Sequence, residues 1–167
     1  MEGTISENLM NVMDRINKAA RKAGRDPGEV MLVTDTKSVD IKKVKEAVAG
    51  GARVFGENYV QEAEENIPKI KDNTVRWHFI GHLQKNKVKK AVELFDMIQT
   101  VDGIELATEI NKRAKEPIDI LLEVNLAREK TKTGVDVSGA IKLARAISRL
   151  ENLRLKGLMA IPPASEN

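Results

Sequence analysis

The sequence predicts an α/β protein of the (β/α)8 TIM-barrel type, incomplete, with about six parallel strands and an extra N-terminal helix. Three observations carry this expectation. Apolar strand segments alternate with amphipathic helix segments, which implies parallel strands joined by right-handed crossovers. Polar residues gather at the C-terminal ends of successive strands: Lys37, Glu57 and Asn58, His78 to Gly81, Asp102 and Asn125. A barrel carries its site at that end. No G-x-G-x-x-G follows the first strand, which weighs against a dinucleotide-binding open sheet.

The elements follow in order. Leu9, Val12, Met13, Ile16 and Ala20 recur at helical spacing, with Ser6 as cap and Gly24 and Pro27 as terminators. EVMLVTDTK is the first strand, and DIKKVKEAVAGG is a helix closed by glycines. The pairs ARVFGEN and YVQEAEENIPKI, VRWHFIG and QKNKVKKAVEL, and FDMIQTVD and IELATEINKRAK repeat the unit. IDILLEVNLA is a fifth strand, followed by a loop over 128–135 and a helix over 136–150. LRLKGLMAI is a sixth strand, and PPASEN trails from it. The chain of 167 residues thus reads as a single domain, 1–167, that holds strands one to six of a barrel and lacks the seventh and eighth.

Composition excludes several functions. There is no cysteine, hence no disulfide framework and no thiolate metal site. A net charge of +3, from 28 basic and 25 acidic residues, is too mild to indicate nucleic acid. The densest basic run, QKNKVKK, has no interleaved aromatic residue on which a base could stack. No apolar run approaches the roughly 20 residues of a membrane span, and the N-terminus does not have the pattern of a signal peptide. The expected location is the cytoplasm.

Several residues can carry chemistry. Lys37 closes the first strand, and a strand-end amine can form a Schiff base with an aldehyde once it is neutral, which burial promotes. Asp35 lies two residues back, on the same face of a continuing strand. At roughly 6.5 Å and an effective dielectric of about 20, its carboxylate would favour the ammonium by on the order of 2.5 kcal/mol. That pairing would work against the amine. Asn58 suits both contact with a planar ligand and an N-cap completed by Gln61. Trp77 and Phe79 alternate with His78 and Ile80, so one pair faces the helices and the other the interior. His78 and His82 have the spacing of a helical metal pair, but they stand on a strand and a loop, with no third ligand in view. Met159 can pack against a flat ring or in the core.

Taken together and in order, the TKS after the first strand, GENYVQE, WHFIGHLQKNK and GLMAIPP resemble the pyridoxal phosphate homeostasis protein family, small barrels of the alanine racemase N-terminal-domain type. The resemblance spans the chain from the first helix to Pro163. It implies pyridoxal 5′-phosphate held as a Schiff base on Lys37, with Asn58 near the ring and His78, Ile80 and Met159 lining the pocket. Lys37 is selected because it stands ten residues before the alanine of the Glu46-Ala47 pair. The resemblance further implies cofactor homeostasis without catalytic turnover. The phosphate loop and the arginine facing the pyridine nitrogen belong to the strands expected to be missing, so binding is expected to be weakened. Thr34 and Asp35 depart from the small or apolar residues usual there. Open strand edges suggest a homo-oligomer or a strand-exchanged dimer. The alternatives are a racemase- or decarboxylase-like enzyme using the same lysine, and an engineered barrel fragment that self-associates and binds no ligand.

Overall fold

A computed structural model describes residues 3–126 and 133–162. The elements run in the expected alternation: α1 (Ile5–Lys22), β1 (Thr34–Asp35), α2 (Ile41–Ala49), β2 (Val54–Glu57), α3 (Val60–Asn66), β3 (Arg76–Phe79), α4 (Val88–Leu94), β4 (Met97–Val101), α5 (Ile104–Arg113), β5 (Ile118–Asn125), β6 (Val135–Asp136), α6 (Val137–Ile147) and β7 (Leu153–Met159). All strand pairs are parallel, and the sheet order is β1-β2-β3-β4-β5 with β7 beyond β5. The short β6 pairs with the last two residues of β5.

The register sorts side chains onto two faces. Phe55, Trp77 and Phe79 point to the helices; Trp77 stacks on Phe55 at 5.3 Å, and Phe79 meets Phe95 at 5.2 Å. Ile98 and Ile120 continue this row, and small helix residues, among them Ala63, Ala91 and Ala107, let the helices approach closely. The opposite face carries a row across the sheet: Asp35, Gly56, His78, Met97, Asp119 and Arg154. Arg154 and Lys156 reach Asp119 at 2.5 and 3.8 Å. The helix face is therefore the dry core, and the inner face is polar.

Four expectations need correction. The cap of α1 is Thr4, not Ser6: its hydroxyl accepts from the Glu7 N–H, and Glu7 reaches back to the Thr4 N–H in a capping box. The first strand is paired over two residues only, because the chain turns away after Thr36, and among the described residues β1 has only β2 beside it. Asn58 does not cap α3; the cap position is Tyr59, and no side chain bonds there. The stretch 128–135, expected as loop, ends in β6, which returns to the tip of β5. The part of that loop over 128–132, and 163–167 of the expected tail, lie outside the described residues.

The tip of β3 is pressed against the loop after β2. A Cβ added at Gly81 would stand 2.1 Å from the carbonyl oxygen of Asn58, closer than any packed side chain allows. Gly81→Ala is therefore expected to destabilise the chain by about 1–3 kcal/mol or more, read as a lower midpoint in urea unfolding.

Candidate functional site

Lys37 is delivered by a tight turn. The Val39 N–H donates to the Thr36 carbonyl at 3.0 Å, and Ser38 takes φ 59°, the left-handed conformation that favours glycine. Thr36 is buried and fixes the turn to β2: its N–H and its hydroxyl both donate to the Gly56 carbonyl, each at 3.0 Å. The chain thus leaves the sheet just before Lys37, and the side chain of Lys37 is exposed. Its Nζ stands 5.7 Å from the centre of the Tyr59 ring.

Asp35 does not clamp the ammonium. Its Oδ1 accepts from the Lys37 backbone N–H at 2.9 Å and from the Asn58 carboxamide at 3.0 Å. The expected pairing assumed a strand running through residue 37; the turn removes that geometry. Asp35 instead ties the β1–α2 turn to the β2–α3 loop. Asn58, released from capping, is half-buried beside it.

His78 lies on the inner face, 5% exposed, and its Nδ1 accepts from the Gln99 carboxamide at 2.8 Å. That bond fits a neutral ring carrying its proton on Nε2. Burial holds the imidazole pKa below 6.5, against the pull of Asp96 and Asp119, while Arg76 adds to the lowering. Ile80 lies across the inner face, so close that a Cβ at Gly56 would fall 2.6 Å from its Cδ1. The structure thus gathers Lys37, Asn58, Tyr59 and Ile80 around the tips of β1, β2 and β3. Met159 ends β7, paired with Glu123 and separated in the sheet from β3 by β4 and β5. Beside Tyr59, a cleft of about 400 Å³ opens between the β2–α3 and β3–α4 loops, lined in part by Asn58, Gln61, His82, Gln84 and Lys87. No group of three or more His, Asp or Glu side chains poised for a metal occurs among the described residues.

Tyr59 and Gln99 stand outside the expected site, and Glu57, expected among the polar residues of the strand ends, turns the other way. In the sequence pattern Tyr59 reads as the first residue of a helix. Gln99 was legible from parity, two residues after Met97 on the inner face. Glu57 has the parity of Phe55, so its carboxyl points to the helix side and not into the mouth.

Two outcomes are expected. Ser38→Gly relieves the left-handed strain and should raise stability by about 0.5–1 kcal/mol, seen in urea unfolding. The lowered pKa of His78 makes stability fall as pH drops below 6.5 towards the folded-state value. His78→Gln should weaken that dependence, and the ring should titrate below 6.5 when followed by NMR.

Residues 8–167 match the family model for the alanine racemase N-terminal domain. The pyridoxal phosphate homeostasis protein of Escherichia coli K12 is 41% identical over 97% of this chain and 72% of its own length. The protein of the same name from Pseudomonas aeruginosa is 41% identical over 98% of this chain and 73% of its own. Among solved structures, PipY of Synechococcus elongatus with PLP bound is 30% identical with a TM-score of 0.80, covering 96% of this chain and 72% of that one. An alanine racemase from Clostridium difficile, 13% identical with a TM-score of 0.74, shares the fold over 94% of this chain and 40% of its own. The chain belongs to the alanine racemase N-terminal-domain family, within the group of pyridoxal phosphate homeostasis proteins.

Proposed function

We propose that this chain binds pyridoxal 5′-phosphate and serves the homeostasis of that cofactor, holding it as a Schiff base on Lys37. The single observation that carries this reading is the built turn at Lys37: a tight turn with a left-handed residue, tied to β2 through Thr36 and to Asn58 through Asp35. Strain of this kind persists where the surroundings over-determine it, as at functional sites. The donor set fits the aldehyde end of the cofactor. An amine, a carboxamide and an aromatic ring face one another on adjoining loops. When bound, the cofactor supplies an electrophilic aldehyde carbon. Lys37 supplies the nitrogen, Asn58 and Ile80 flank the ring, and His78 lines the inner wall as a neutral group. Met159 is assigned the far rim.

We read the protein as a carrier in a single barrel unit and not as a catalyst, as the family resemblance implies. No helix among the described residues is long and apolar enough to cross a membrane, and the cytoplasm is the proposed location.

Self-association belongs to the same reading. Among the described residues β1 pairs only with β2, and β7 only with β5. Beside the β7 edge, Leu158 and Ile161 are 65% and 57% exposed, and Ile141 of α6 is 68% exposed. Apolar faces next to an unpaired edge favour pairing with a second copy.

Mixing the protein with pyridoxal phosphate should produce the absorption band of a Schiff base, and borohydride should fix the label on Lys37. Lys37→Ala should lower apparent affinity by about tenfold or more, equivalent to roughly 1.4 kcal/mol; equal binding by that variant refutes the assignment. Size exclusion with light scattering should give a mass above that of one chain, and a monomer at all concentrations refutes the edge pairing.

A further inference from the structure

Glu57 closes β2 with 1% of its surface exposed, and neither of its carboxyl oxygens has a hydrogen-bond partner among the described residues. An ionised carboxylate in that position is strongly disfavoured. Burial pushes its carboxyl above the ordinary 4.5; the Thr36 hydroxyl acts against this, and Glu62 of α3 and then Asp35 of β1 add to it. The charged groups acting on it from both elements are acids.

Thr36 explains what a proton on Glu57 can do. Its hydroxyl has one hydrogen, and that hydrogen is committed to the Gly56 carbonyl at 3.0 Å. What remains for Glu57 is the pair of acceptor sites on the same oxygen. A neutral carboxyl can donate to them, but an ionised one cannot. We propose that Glu57 is a positioning residue, carried as the neutral acid beneath the Thr36–Lys37 turn, and that loss of its proton to solvent at rising pH loosens the turn and misplaces Lys37. Ionisation draws the Thr36 hydroxyl from Gly56 to the carboxylate. The turn then keeps only the Thr36 N–H as its direct tie to that carbonyl. The consequence for Lys37 rests on the cofactor reading above; the protonation of Glu57 does not.

The experiment uses the full chain in three measurements. Carboxyl carbon shifts, with Glu57 assigned by its loss in Glu57→Gln, should show a midpoint above 4.5; a midpoint at or below that value overturns the proposal. A raised pKa for an acid makes stability fall as pH climbs past 4.5 through the folded-state value. The urea stability of the parent relative to Glu57→Gln should follow that course, and a difference independent of pH overturns the proposal.

The third measurement follows binding of pyridoxal phosphate by absorbance across the same pH range. Glu57→Gln, whose amide can still donate to Thr36, should stay within about twofold of the parent at low pH and lose the part of the alkaline decline due to Glu57. Thr36→Val and Glu57→Leu should lower apparent affinity about threefold or more at low pH. Equal affinity in all three variants overturns the positioning role. A Lys37→Ala control that keeps the Schiff-base band shows that the cofactor reading has failed, while the first two measurements still decide the state of Glu57.

Discussion

The Gly56 carbonyl receives two hydrogen bonds from one residue, the N–H and the hydroxyl of Thr36. Much of the upper rim depends on this double tie. It stops β1 after two ladder residues and turns the chain before Lys37 can continue the strand. It also buries Thr36 over the helix side of the sheet, where Glu57 lies below it. Asp35 then closes the arrangement from the inner face, by holding the Lys37 N–H and the Asn58 carboxamide on one oxygen. A carboxylate that seemed an obstacle to the amine proves to be part of its mounting.

The architecture was legible where side-chain parity is strict. Trp77 and Phe79 against His78 and Ile80 gave the two faces of β3, and the register agrees. The alternation of strand and helix gave the parallel order. Legibility failed where the chain departs from regular geometry. The placing of Asp35 against the Lys37 ammonium required a strand through residue 37, and the turn at 36–39 is not announced by glycine or proline. Ser38 takes a conformation for which its side chain gives no signal. The return of Val135 to the tip of β5 is a non-local pairing of two residues, beyond the reach of local pattern. Glu57 is a different case. Its parity was readable, but a charged residue at a strand end reads as a rim residue, because burial of an acid is rare.

The site and the scaffold share residues at close quarters. Gly81 is packed against the Asn58 backbone, and Gly56 lies under Ile80. These two contacts leave the tips of β2 and β3 little freedom, so Asn58 and Tyr59 are presented from a braced loop. Such bracing holds binding groups better than an unsupported loop would. Lys37 is the exception: its backbone is held, while its side chain reaches out over the Tyr59 ring with room to meet a ligand.

In the sheet order from β1 to β5, every strand lies beside its neighbour in sequence, and β7 joins β5 directly across α6. Partners thus meet over short chain separations, which lowers the entropic cost of closing each loop. Assembly can advance from the N-terminus as each strand–helix unit emerges from the ribosome, each docking on the last. In that order the two-residue β1–β2 ladder forms early, so the turn that carries Lys37 is laid down before β5 and β7 extend the sheet.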